Sequence, residues 1–469
     1  MLPDVALLEI FDFYVVDARD VPYRDEKIEA RHTLVHVCRK WRSVVFGSPL
    51  RLDLRLHCRA GTPVKEMLDV WPRLPIIVWT RSSDNKKWGV DNIVAVLEHH
   101  DRIRRLELED LHGWQLEMVL AAMQQPFPAL TELWLQSKDG GRTPAIPVSF
   151  MGGSAEPLQQ LTLEGIPFPG LPKVLLSASH LVFLQLWRIP HSGYISPEAM
   201  VTCLSVLTKL KRLAIDFESP QSCPERKGRR PPRTLLPVLG EFTFGGVGEY
   251  LEDLVARIDA PLLSNFEIIF FHRLILDTPQ LPQLAQFISR TPELKAHHKA
   301  GLKFTNKFAY VALESQAGIL CLGMSCRHSD WQLSFLTQIC SLSPSQGLIS
   351  RAAVEHLYIL EDEYLPPRWH DDIEGSQWLE LLRPFTAVKS LKISRDFMPC
   401  IAPALQELVG ERATEVLPAL ETLFLEETLS SGPVQEAIER FVAARQLASH
   451  PIVVSRWERE EDEYETDDG

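Results

Sequence analysis

The chain has no excess of positive charge. Its 49 Lys and Arg residues face 62 Asp and Glu, for a formal net charge of −13. Holding a polynucleotide requires basic side chains that neutralise phosphates, and adhering to an anionic bilayer requires a cationic patch. The composition argues against both, so neither nucleic acid nor membrane is expected as a partner. Also missing is an uninterrupted apolar run of about 18 residues, the least that spans a bilayer. The opening Met1-Leu2-Pro3-Asp4 carries no basic region, which predicts no secretory leader. Cysteines are few and scattered, at 38, 58, 203, 223, 321, 326, 340 and 400. On an intracellular reading, cytoplasmic or nuclear, they are reduced thiols, mostly buried.

Motifs of catalysis are scarce as well. Neither G-x-S-x-G nor H-E-x-x-H occurs, and the 15 histidines form no recognisable nucleophile–base arrangement. Phe244-Gly245-Gly246-Val247-Gly248 follows a strand pattern and precedes a helical one, as a phosphate loop would. It lacks both the third dinucleotide glycine and a Lys-Ser/Thr ending, so a plain turn is the simpler reading. Cys321, Cys326, His328 and Cys340 have no paired C-x2-C spacing, and buried thiols are the default. The sequence therefore predicts no enzyme, no metal and no cofactor.

What the chain has in quantity is one short pattern. Leu158, Leu161 and Leu163 read Leu-x-x-Leu-x-Leu, and close copies begin at Ile103, Leu130, Leu181 and Leu210, with weaker ones at Leu239 and Leu263. Weaker copies begin at Val354, Val388 and Leu420. Up to Leu263 the steps are 23–29 residues, the period of a leucine-rich repeat. The x-Leu-x-Leu part alternates at the strand period, so its leucines share one face. One such strand cannot bury that face alone, whereas stacked copies can. The fold class expected is α/β: an irregular solenoid over 51–448, with parallel strands on its concave face and helices and loops outside. An acidic, disordered tail is expected over 449–469. The return segments Ser196–Leu207 and Val247–Ile258 read as helices. In the aperiodic stretch 277–344, helices are expected at Gln280–Ser289 and Trp331–Cys340, with strands at Phe304–Leu313 and Ile319–Ser325.

Residues 1–50 differ from the rest. Pro3 suits a helix start, and Leu7, Ile10 and Phe11 fall on one helical face. A second helical pattern runs through Leu34, Val37, Cys38, Trp41, Val44 and Val45. On spacing alone, this pair serves equally as an end cap for the solenoid or as a docking module. The combination Leu2-Pro3, Ile10-Phe11 and Val37-Cys38-Arg39-Lys40-Trp41-Arg42 resembles an F-box. With repeats behind it, and with Trp71–Pro75, the acidic loop at 361–374 and Ser455-Arg456-Trp457, the chain is similar to the large F-box protein family of basidiomycete fungi. That resemblance implies a Skp adaptor as partner and, through it, the cullin of an SCF ubiquitin ligase. The adaptor-facing candidates it implies are Leu2, Pro3, Ile10, Phe11, Leu34, Val37, Cys38 and Trp41.

Residues between the buried leucines point to the open face of the sheet. Trp134, Phe183, Trp187, Tyr358 and Phe424 on that face, with Trp369 on the loop after Tyr358, are the anchors an interface with a target protein would use. The function implied is non-catalytic substrate recognition for a ubiquitin ligase. The alternative is a ligase-independent repeat scaffold in which the first fifty residues only cap the array. A basic cluster, Arg226, Lys227, Arg229, Arg230 and Arg233, reads as a solvated insertion.

Overall fold

A computed structural model describes residues 3–16, 37–47, 54–56, 58, 61, 64–70, 75–80, 89–139, 143–220, 233–271, 281–295, 297–326, 329–341, 353–362, 366–367, 374–426 and 432–457. Two compact units divide the chain, one reaching Ile195 and the other running from Ser196 to Asp462.

The first unit opens with helices α1 (Asp4–Val16) and α2 (Arg39–Phe46). Strands β1 (Leu54–Leu56), β2 (Ile76–Thr80), β3 (Ile103–Leu111), β4 (Glu132–Ser137), β5 (Gln160–Glu164) and β6 (Phe183–Ile189) follow. Each pairs in parallel with the next. Parallel neighbours need a long crossover, and here α3 (Val64–Val70), α4 (Val90–Leu97), α5 (Gly113–Ala122) and α6 (Leu171–Ser177) supply helical returns. The registers line up the repeated leucines: Leu106, Leu133, Leu161 and Leu184 form one row, and Leu108, Leu135, Leu163 and Leu186 the next. None is more than 3% exposed. At roughly 1.5–3 kcal/mol per buried leucine, these rows hold the sheet on its helices.

The second unit begins with α7 (Pro197–Leu204), which shows how the local sequence sets a boundary. Ser196 Oγ accepts the Ala199 N–H at 3.2 Å and caps the helix, while Pro197 takes the first turn, where no N–H is missed. The helix stops at Leu204, three residues short of the expected Leu207, because 205–210 turn into the next strand. Strands β7 (Arg212–Phe217), β8 (Thr234–Leu235), β9 (Glu241–Gly246), β10 (Ile258–Asp259) and β11 (Asn265–Phe271) come next, with α8 (Gly248–Val255) between β9 and β10. After α9 (Pro282–Arg290) come β12 (Lys299–Phe304), β13 (Phe308–Glu314), β14 (Ile319–Ser325), α10 (Ser329–Ser341) and β15 (His356–Glu361). Then α11 (Gly375–Leu382), β16 (Ser390–Ile393), α12 (Met398–Gln406), β17 (Thr422–Glu426), α13 (Pro433–Leu447) and β18 (Val453–Trp457) complete it. In the main sheet the order is β7-β9-β11-β14-β13-β12-β15-β16-β17-β18, and β8 pairs with β10 alone. The core row at its start runs Leu213, Phe242 and Phe266, with the two Phe rings stacked at 5.0 Å.

The stretch that broke the sequence period proves to be a meander laid into the sheet. β14 joins β11 in parallel, β12 joins β15 in parallel, and β13 runs antiparallel between β12 and β14. The strand expected over Phe304–Leu313 is two strands: Phe304 ends β12, and β13 begins at Phe308. Thr305 Oγ1 accepts the backbone N–H groups of Lys307 and Phe308, which closes the turn between them. The tail expected from 449 is also corrected over its first part. Val453–Trp457 pairs in parallel with β17 in the register Thr422↔Val453 to Glu426↔Trp457; the β-branched pair Val453-Val454 suits a strand, and the polar Ser455 and Arg456 suit its place at the edge.

Every position of the repeated leucine pattern lies within 5% of full burial. Among the described residues, no helix is long and apolar enough to cross a membrane.

Candidate binding faces

In the N-terminal helix pair the apolar residues divide into two sets. Leu7, Phe11 and Val44 are buried, and the Phe11 and Trp41 rings meet edge to face with centroids 4.8 Å apart. Lys40 Nζ reaches Asp4 Oδ1 at 3.1 Å across the pair. Ile10, expected on the face of Leu7 and Phe11, is 48% exposed, and Val37 is 54% exposed. Pro3, Val5 and Cys38 are also exposed. Phe11 is therefore corrected from an adaptor-facing residue to an internal one, since its ring has no surface to offer. Trp41 is half-buried against it. Cys38 has a local role: its Sγ accepts the Trp41 backbone N–H at 3.4 Å, one turn into α2. Leu2 and Leu34 lie outside the described residues.

Because the strands stay in register, residues between the leucines form rows on the opposite face of each sheet. In the first unit one row reads Arg105, Glu132, Gln160 and Phe183; another reads Glu107, Trp134, Thr162 and Gln185; a third reads Gln136, Glu164 and Trp187. Polar neighbours in these rows satisfy one another. Arg105 pairs with Glu107 and, at 3.1 Å, with Glu132. Burial opposes the Arg105 charge, but the two carboxylates outweigh it and hold the guanidinium above its ordinary value. Gln136 Nε2 donates to Glu164 Oε2 at 2.9 Å, Arg188 Nε pairs with Glu164 Oε1 at 2.9 Å, and Thr162 Oγ1 donates to Gln185 Oε1 at 2.9 Å. Trp134, Phe183 and Trp187 are half-buried in these rows, and the Trp134 indole N–H has no acceptor among the described residues.

The second unit brings two expected anchors, Tyr358 and Phe424, together around Lys392. Tyr358, Lys392, Phe424 and Ser455 form one row, with Trp457 next to Ser455's position along the same edge strand. Lys392 Nζ lies 5.1 Å from the Tyr358 ring centroid, 5.6 Å from that of Phe424 and 5.2 Å from that of Trp457. Three ring faces around one ammonium form a cation–π cluster. Burial, and then the nearby Glu314, raise the Tyr358 hydroxyl above its usual value. Further along the row are Glu267 and Cys321 on β11 and β14. Burial raises the Glu267 carboxyl. Burial also pushes the Cys321 thiol up to about 12, with Glu267 adding to it. A thiol so placed is a poor metal ligand or nucleophile at neutral pH. Trp369 and His328 lie outside the described residues, as do Arg226, Lys227, Arg229 and Arg230. What sequence reading missed here was Trp457, because β18 itself was missed; the signal available was the β-branched pair Val453-Val454.

Of the glycines considered for a phosphate loop, two are strand residues and the third, Gly248, opens α8. Gly245 and Gly246 close β9. A Cβ on Gly245 would strike the Asp216 carboxylate, and one on Gly246 would meet the Phe217 and Phe244 rings at 2.9 Å. The space a phosphate would need holds packed side chains.

No protein-family model matches the chain, and no characterised protein matches it at a significant level.

Proposed function

We propose that the chain is a non-catalytic substrate-recognition subunit: the N-terminal helix pair acts as an F-box on a Skp adaptor of a cullin ubiquitin ligase, and a solenoid of leucine-rich repeats behind it holds a target protein. One observation carries the first half. A pair of short helices that served only as an end cap would turn its apolar residues inward. Instead Val5, Ile10 and Val37 face solvent while Leu7, Phe11 and Val44 hold the pair together. Exposed apolar side chains on a small helical module are what a docking surface for another protein would use. The half-buried aromatic residues Trp134, Phe183 and Trp187, and the Tyr358–Phe424 cluster, support the second half: aromatic rings at open strand positions are the usual anchors of an interface.

Capture of a purified Skp adaptor by the full chain tests the reading. Binding that disappears on Ile10→Ser with Val37→Ser supports it. Absence of binding by the unaltered chain, under conditions where an established F-box protein binds, sinks it.

A further inference from the structure

Charge is unevenly spread over the open face of the second unit. On β7, β9, β11, β14 and β13, the described residues between the core positions carry four carboxylates, Asp216, Glu241, Glu267 and Glu314. The one cation among those residues is Arg212, and Glu241 holds it. Lysines begin with β12, where Lys299 stands in register with Glu314 and Lys303 follows. Three of the four acids lie on one diagonal. From Asp216 on β7 to Glu267 on β11, and from there to Glu314 on β13, each step crosses two strands and moves two residues along them. At ordinary strand spacing and rise a step is roughly 12 Å.

Glu267, at the centre of the diagonal, is half-buried with Thr243 and Cys321 beside it in its row and Ile269 beyond it on its strand. Among the described residues no hydrogen bond or ion pair reaches its carboxylate, and burial alone raises it. A carboxylate that has lost water and gained no donor costs stability. Toward the meander its row continues through Cys321, Ala312 and Gly301, so no bulky side chain stands in that row before Tyr358. The half-buried Ile269 and the exposed Ile319 border the same spot. A cation with several donors and a long apolar stem suits these surroundings. Arginine has both: its fork donates to the two oxygens together, and its methylenes lie on apolar neighbours. We propose that this half of the open face docks an extended, arginine-bearing segment of a partner protein, one guanidinium pairing with Glu267 and the next ones lying toward Asp216 and Glu314. An ion pair in open water is weak, but a carboxylate already partly withdrawn from water gains more from an arriving donor. The proposal rests on the repeats being the target-binding part and adds the charge of the target; it does not depend on adaptor docking.

The test uses the full chain and a labelled peptide with three arginines, one at every fourth position among serines and threonines, followed by fluorescence anisotropy at physiological ionic strength. The unaltered chain is expected to bind it and to ignore a matched peptide with citrulline in place of arginine. Glu267→Gln should weaken binding at least tenfold. Glu249→Gln removes the same charge from the exposed first turn of α8 and should leave binding unchanged. Cys321→Leu keeps the carboxylate but fills the space beside it, and should weaken binding as well. Thermal melts separate binding from folding: with no partner to lose, Glu267→Gln should melt no lower than the unaltered chain. No binding by the unaltered chain, equal binding of the citrulline peptide, or equal losses from Glu267→Gln and Glu249→Gln overturns the proposal. So does indifference to Cys321→Leu, or a lower melting midpoint for Glu267→Gln. A chain that captures the Skp adaptor yet ignores the arginine peptide loses this proposal alone.

Discussion

The planes of the Phe11 and Trp41 rings stand at 62° with centroids 4.8 Å apart, and this edge-to-face contact joins α1 to α2. It separates residues that build the helix pair from those available to a partner. Phe11→Ala should destabilise the pair by ~3–5 kcal/mol, the usual cost of deleting a buried Phe, read as faster amide exchange over 3–16 and 37–47. Ile10→Ser, at an exposed position, should change stability by less than ~0.5 kcal/mol yet eliminate adaptor capture. If Phe11→Ala leaves exchange unchanged, the contact does not hold the pair.

The leucine rows make a second prediction. Leu161 and Leu184 are neighbours in register and essentially buried. Leu→Ala at either should cost ~2–5 kcal/mol. Their direct contact should make the double substitution differ from the sum of the singles by more than ~0.5 kcal/mol. Urea melts of the four chains supply the cycle, and strict additivity would argue against the shared row.

The rows were legible in sequence because burial on one face of a strand imposes a period of two, and stacking imposes a second, longer period. Leu158, Leu161 and Leu163 display both. The meander was not legible for a physical reason. Ala300, Leu302 and Phe304 do alternate, but Gly301 and the lysines around them weaken the apolar contrast, and Phe304 reads equally well as the start of the next run. Thr305 decides the matter through two hydrogen bonds that no periodicity reveals. The Lys392 cluster was half-legible: the register that brings Tyr358, Lys392 and Phe424 abreast follows from the repeat, but Trp457 joins only because β18 adds to the sheet edge.

Trp187 tests the open face. It is half-buried and aligned with Glu164. Trp187→Ala should leave the melting midpoint almost unchanged while weakening a target, once identified, by ~2 kcal/mol or more. Unfolding of the variant would place the ring in the core instead.

Two glycines should respond differently to a methyl group. A Cβ on Gly318 would strike the Ser264 carbonyl oxygen and come within 3.1 Å of its Cα. That backbone is fixed by the Ile319 N–H donating to the same carbonyl at 2.7 Å. At Gly245 the obstacle is the end of the Asp216 side chain, which can rotate. Gly318→Ala should therefore cost ~3 kcal/mol, the upper end of overpacking penalties, and Gly245→Ala distinctly less. A denaturant series ranks them, and the reverse order would show that the backbone at Ser264 yields.

His297 makes stability depend on acid. It is 2% exposed in the second unit, and neither ring nitrogen has a partner among the described residues. Burial, and then the charge of the adjacent His298, lower its pKa from 6.5 to about 4. The folded-state value thus lies below the unfolded one, so between them the unfolded chain binds more protons. The stabilisation is complete above the unfolded value and is lost as pH falls from about 6.5 through about 4. At 1.36 kcal/mol per pH unit, the loss over that window amounts to about 3 kcal/mol. His297→Leu removes the titration and the two unmade hydrogen bonds together. At pH 7 the variant should be at least as stable as the unaltered chain, because burying an unsatisfied imidazole is itself costly. On acidification its stability should fall less steeply. Urea midpoints at a series of pH values from 7.5 to about 4 measure it directly. Parallel curves for the two chains would mean that His297 is protonated inside the fold and that a partner for its charge exists there.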